Sequence, residues 1–164
     1  MFDKLETLDD LLTVQLKDLY SAEKQLIKAL PLMADKAHDE RLQAGFRKHL
    51  RETEEQLRRL EQIGEFLNLS LGGHTCKAMA GLIAEGQETM SERATAEVMD
   101  AALIAAAQRI EHYEISGYGT ATHFASRLGH VEVADMLRQS LAEEQLTDTK
   151  LNNLAKEHLN QKAL

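Results

Sequence analysis

Apolar residues recur along the first segment at steps of three and four: Leu5, Leu8, Leu12, Leu16, Leu19, then Leu26, Leu30 and Met33. That spacing gathers them on one helix face and predicts a first helix over about 8–37. Thr7 followed by Asp10 has the form of a capping box at its start. Pro31 lies inside the pattern, so a kink or break is expected one turn upstream. After His38-Asp39, a second stripe of Leu42, Phe46, Leu50, Thr53, Leu57 and Leu60 predicts a helix over about 40–67. A third long helix is expected over 96–127, with Gly129 as its C-terminal cap residue, and a fourth over 131–160. The short connections make each pair an antiparallel hairpin.

Between the hairpins, residues 68–95 hold Gly72-Gly73, a short helical pattern near 75–86 and a polar run. A connection this long is unusual in a compact helical protein. It carries the chain back along the bundle and makes the second and third long helices parallel. That crossover separates the ferritin-like bundle from the simple up-down bundle. The expected fold is therefore all-α: one ferritin-like four-helix domain over 1–164, with a short extra helix in the crossover.

The stripes contain acids. Glu23 stands between Leu19 and Leu26; Glu144 and Asp148 interrupt Leu137, Leu141 and Leu151; Glu111 follows Ile104 and Gln108 and precedes Ile115 and Tyr118. An isolated carboxylate on a core face is expensive to bury, so it is exposed at an edge, paired with a base, or bound to a metal. Inward acids from several helices point to a carboxylate-rich metal centre. The ferritin-like pattern takes a Glu from each of two helices and a Glu-x-x-His from each of the others. This chain departs from it. The second helix has the reverse order, His49-x-x-Glu52, then Gln56; the fourth has Glu143-Glu144 and Asp148. The third offers Glu111 and Glu114. The hairpins also align as a degenerate repeat, pairing Glu23 with Glu114 and Glu52 with Glu143. Stripe position favours Glu144 over Glu143, while repeat alignment favours Glu114 over Glu111, so both choices stay open. The candidate ligands are Glu23, His49, Glu52, Glu111, Glu114, Glu144 and Asp148. Hard carboxylate oxygens with an imidazole suit a pair of iron or manganese ions.

Blander readings stand beside these. One acid on an apolar stripe is more often paired or edge-exposed, and His49 fits equally well as a core histidine bonded to a carboxylate across the bundle. His112 points away from Glu111, since helix neighbours do not share a face. His38, His74, His130 and His158 read as surface or cap residues near helix ends, and Cys76 as a packed small residue. Tyr20, Tyr113 and Tyr118 read as core, although a tyrosine beside a metal can hydrogen-bond a ligand.

Composition narrows the functional classes. The net charge of −8 comes without a basic patch or tail, which argues against a nucleic-acid partner. Cys76 is the single cysteine, so no intrachain disulfide or Cys-based zinc site is available, and a reducing compartment fits. The opening Met1-Phe2-Asp3-Lys4-Leu5-Glu6 has no apolar signal core. The longest clean apolar run, 101–107, is too short to span a membrane. A cytoplasmic location is expected. The third helix carries two apolar stripes, and its surplus face is expected to meet the crossover or a second copy of the chain in a homodimer.

The motifs Leu19-Tyr20-Ser21-Ala22-Glu23-Lys24-Gln25, His49-Leu50-x-Glu52-Thr53-x-x-Gln56, Cys76-x-x-Met79, Glu111-His112-Tyr113-Glu114 and Glu143-Glu144-x-x-Thr147-Asp148 resemble the YciE/YciF family of ferritin-like bacterial proteins linked to stress responses. The resemblance covers nearly the whole chain. It implies a rubrerythrin-like helical bundle and a homodimer, and it implies no particular reaction. The chain lacks the Cys-rich segment of true rubrerythrins, which puts a rubrerythrin route of peroxide reduction in doubt. The leading expectation is a di-metal centre acting on oxygen or peroxide. The alternative is a non-enzymatic helical protein that works through protein–protein contact with no functional metal. Iron storage ranks last, because it needs a hollow shell.

Overall fold

In the computed structural model, which describes residues 5–164, the chain is a bundle of long helices with no strand among the described residues. Met1 to Lys4, part of the segment read above as lacking a signal core, lie outside the described residues. α1 spans Leu8–Lys36, α2 Glu40–Phe66, α3 Lys77–Ser91, α4 Ala96–Leu128 and α5 Val131–Leu154. Beyond α5 the chain stays helical through a π-helical turn, Ala155–Leu159, and a last turn, Asn160–Lys162.

Local chemistry sets the boundaries. The Thr7 hydroxyl accepts from the Asp10 amide at 3.1 Å, and the Asp10 carboxylate accepts from the Thr7 amide at 2.9 Å, completing the capping box. The Asp39 carboxylate accepts from the Arg41 amide and starts α2. Gly129, at φ 84°, ends α4 in the left-handed conformation that a residue with a Cβ adopts only at a cost. Of the kink or break expected at Pro31, the break does not occur: α1 continues through it. Leu30, Met33 and Ala34, all buried, pack the turn on both sides of it, and tertiary packing outweighs the one backbone donor that proline lacks. α3 also runs further than the apolar pattern indicates, to Ser91, because buried Gly86 lets it lie close to Ala106 of α4.

Cross-chain contacts fix the topology. Asp100, early in α4, accepts from the backbone amides of His38 and Asp39 at 2.7 and 2.8 Å, while Gly117, later in α4, lies against Leu19. α1 and α4 are therefore antiparallel. His49 approaches Glu144 and Arg59 approaches Ser140, so α2 and α5 are antiparallel too. Since each hairpin also reverses direction, α2 and α4 run parallel, as the crossover requires. Every neighbouring pair around the bundle is antiparallel, and the result is a ferritin-like four-helix bundle. The crossover helix α3 lies over α1 and α4, where Leu82, Ile83 and Met90 pack against Met33 and Ile110. It covers much of the surplus apolar face of α4. No helix among the described residues is long and apolar enough to cross a membrane.

The core has two apolar parts. One gathers Leu26, Leu30, Met33, Leu42, Phe46, Met79, Leu103, Ile110 and Leu151 toward the α1–α2 turn. The other gathers Leu12, Leu16, Leu19, Leu60, Ile63, Val133 and Leu137 toward the opposite end. Glu23, His49, Gln56, Glu111, Glu114 and Glu144 occupy the stretch between them, and all are buried.

Candidate metal centre

Each long helix sends a charged or polar group into that middle stretch. α1 contributes Glu23, α2 His49 and Gln56, α4 Glu111 and Glu114, and α5 Glu144. None is more than 2% exposed. His49 Nε2 lies 3.2 Å from Glu111 Oε1 and 3.8 Å from Glu144 Oε2. One ligand atom from each of His49, Glu114 and Glu144 falls within 4.8 Å of the others. Tyr118 of α4 caps the cluster, its hydroxyl donating to Glu23. The Gln56 amide donates to Glu144 and, at 3.1 Å, to Glu143.

These partners leave much unsatisfied. Both nitrogens of His49, both carboxylate oxygens of Glu114, and one oxygen each of Glu23, Glu111 and Glu144 have no hydrogen-bond partner. Buried polar groups are almost always paired, and orphaned charges cost more than orphaned neutral groups. Burial accordingly pushes the carboxyls of Glu23, Glu114 and Glu144 well above the usual carboxylate range, and their mutual repulsion adds to it. For Glu144 the nearby His49 offsets part of the rise. Burial lifts Glu111 to about 8, against a downward pull from a hydrogen bond with Glu144. Burial also drives the Tyr118 phenol upward, and the Glu23 charge adds to it. The residues fit a metal. Glu23, Glu111, Glu114 and Glu144 are hard oxygen donors, His49 supplies nitrogen, and two divalent ions would balance the four carboxylates when ionised.

The sequence candidates divide cleanly. Glu23, His49, Glu111, Glu114 and Glu144 converge. The choice between Glu111 and Glu114 dissolves, since both point inward. Glu144 is the inward member of its pair, while Glu143 pairs with Arg59 at 3.1 Å. Glu52, expected to converge with the others, stands outside the cluster, as does Asp148. Glu52 pairs with Lys48 one helical turn away, and Asp148 accepts from Gln108 at 3.1 Å and lies 3.3 Å from His112. Both are about one-fifth exposed, and solvation makes the rim the cheaper place for their charge. His112 is exposed, as helix geometry requires. His74 and His38 pair with Asp18 and Asp100, and His158 and His130 with Asp39 and Asp9.

A second, partly buried network was not visible in the sequence. Cys76 is more than a packed small residue: its thiol caps α3, accepting from the Met79 amide at 3.3 Å, and lies 3.0 Å from the Tyr113 hydroxyl. Tyr113 in turn donates to Asp18. Burial raises both the Cys76 thiol and the Tyr113 phenol. These residues come from three separated segments, and no spacing rule links them.

Fold and cluster together define a ferritin-like helical protein with a buried carboxylate–histidine centre. The chain belongs to the family described as a domain of unknown function, DUF892, whose model matches residues 7–164. It is 44% identical over 160 residues to the protein YciF of Escherichia coli K12, covering 97% of this chain and 96% of that one. The crystal structure of E. coli YciF, described as a stress protein, superposes with a TM-score of 0.91 over 95% of this chain and 99% of that one. The structure of YcfI from Rhodopseudomonas palustris, 43% identical, gives 0.89 over 93% and 97%. A Xanthomonas campestris protein at 21% identity shares the fold, with a TM-score of 0.74 over 96% of this chain and all of that one.

Proposed function

We propose that this chain is a stress-response protein that holds a pair of iron or manganese ions in its bundle and acts on oxygen or peroxide. The observation that carries the reading is the set of buried, unpartnered oxygens and nitrogens on Glu23, His49, Glu111, Glu114 and Glu144, with ligand atoms of His49, Glu114 and Glu144 within 4.8 Å of one another. The similarity to a protein described as a stress protein supplies the physiological setting. Bound iron or manganese supplies one-electron redox chemistry toward oxygen species. The chain's own groups do the rest. The carboxylates and His49 bind, Gln56 and Tyr118 hold Glu144 and Glu23 in place, and the apolar clusters above and below exclude water. Glu52 and Asp148 at the rim tune the charge around the centre. The reading includes a homodimer in the cytoplasm, supported by the family resemblance and by a chain with a single cysteine and no intrachain disulfide.

Elemental analysis of protein purified under mild conditions tests the proposal. About two equivalents of iron or manganese per chain are expected, as in two-metal sites, and Glu114→Ala/Glu144→Ala should lose them. Wild-type protein that holds no metal, and whose melting temperature ignores added Fe(II) and Mn(II), would overturn the reading in favour of a partner-binding role.

A further inference from the structure

Between α2 and α5 a pocket of about 150 Å³ opens from the surface toward the buried centre. Leu42, Phe46, Leu151 and Leu154 line it, Leu154 half-buried and the other three buried, and His49 and Glu111 stand at its inner end. A dry apolar cavity of about this size accepts a benzene-sized molecule. The mouth is cationic. Arg41, Lys48 and Lys150 border it. Lys48 is already paired with Glu52, and Arg41 makes only a 3.5 Å approach to Asp39 with more than half its side chain exposed. Lys150 has no ionic partner among the described residues. At the inner end His49 is 2% exposed, with neither ring nitrogen hydrogen-bonded. An apolar wall behind a cationic mouth is a poor path for a hydrated metal ion. It suits a molecule with an apolar body and one negative charge.

We propose that this pocket binds a small organic carboxylate, aromatic or short-chain. Its body lies against Leu151 and Leu154, over buried Leu42 and Phe46, and its charge at Arg41 and Lys150. Such a ligand places its apolar end beside His49 and thus beside the candidate metal centre. The inference goes beyond the metal reading and does not depend on it, because protein side chains alone form the pocket.

Fluorine NMR with 4-fluorobenzoate, on full-length protein stripped of metal and again after loading with Mn(II), is the test. Binding is expected in the stripped protein, with hexanoate competing. Acetate, which has the charge without the body, and fluorobenzene, which has the body without the charge, should each bind at least about tenfold more weakly, the scale of one well-placed contact. Gly45 lines the pocket, and a Cβ there meets nothing within 4 Å. Gly45→Leu should therefore fold, fill the cavity and lose the ligand by more than about tenfold. The exposed variants Arg41→Gln and Lys150→Gln should keep fluorobenzene binding and lose the preference for the anion. The proposal fails if acetate matches 4-fluorobenzoate, or if Gly45→Leu, folded by its melting curve, binds as wild type. Loss of metal binding with benzoate binding intact would sink the metal reading alone.

Discussion

Glu111 is the residue at which the electrostatics of the centre can be read most directly. Its carboxyl titrates at about 8 when folded, against 4.5 for an ordinary glutamate. Below about pH 4.5 folded and unfolded chains both hold the proton, so there is no penalty. Between the two values only the folded chain holds it, and stability falls as pH rises; above about 8 the full cost is present. The elevated carboxyls of Glu23, Glu114 and Glu144 act in the same direction. Metal-free protein should therefore lose stability between pH 5.5 and 8.5, at up to about 1.4 kcal/mol per pH unit for each titrating group. Urea unfolding in chelator measures the slope. Glu111→Gln should flatten it, and saturating Mn(II) should reverse it, since the metal takes the ionised forms. A metal-free midpoint that climbs with pH would contradict this account. Part of this was readable in advance. Glu23, Glu111 and Glu144 interrupt apolar stripes, and that interruption survives as burial. Glu52 misled because His49-x-x-Glu52 mirrors a known ligand spacing, yet only His49 turns inward. Glu52 is one position round the helix from Thr53, which takes the buried place.

At the scale of elements, the turn between α1 and α2 is held from outside. Asp100, 3% exposed, accepts the free amides of His38 and Asp39, residues 62 and 61 positions away. These are charge-assisted bonds in a partly buried site. Asp100→Ala should leave two amides unpartnered and destabilise the protein by about 2–3 kcal/mol, while Asp100→Asn, which keeps an acceptor, should recover part of that. Guanidinium melts of the two variants give the comparison. An Asp100→Ala loss below about 0.5 kcal/mol, the range of ordinary surface substitutions, would show that the turn does not need this cap. Local signals made the rest of the helix plan legible: the Thr7–Asp10 box, Asp39 before α2 and Gly129 after α4 all lie within a few residues of what they govern. Asp100 was invisible for the opposite reason, because its partners are remote in sequence. Pro31 belongs with it. Its effect depends on packing around Leu30 and Met33, and no local rule includes that packing.

For the whole molecule, the apolar surplus on α4 does not by itself require a partner. Leu103, Ala107 and Ile110 are at most 3% exposed within the single chain, the crossover helix having covered that side. The remaining large exposed apolar residues, such as Leu32, Phe66, Val131 and Leu146, are scattered over α1, α2 and α5. The proposed homodimer must therefore use a mixed surface rather than a greasy one. Sedimentation velocity at micromolar concentration should give a single species at twice the 18.4 kDa chain mass, with little salt-induced strengthening. A monomer throughout that range would remove the dimer from the reading. The division of the core carries a different consequence. Two oily halves are joined through a belt of acids, so the belt decides whether heat melts them as one body or two. With the acids neutralised, the halves share a single calorimetric transition. With the acids charged and metal withdrawn at pH 8.5, the seam weakens. The end built on Leu12, Leu16 and Ile63 and the end built on Leu30, Phe46 and Leu103 become separate cooperative units. The calorimetric enthalpy should then exceed the van't Hoff enthalpy, and amide exchange should show two protection levels along each long helix, changing where it passes the acids.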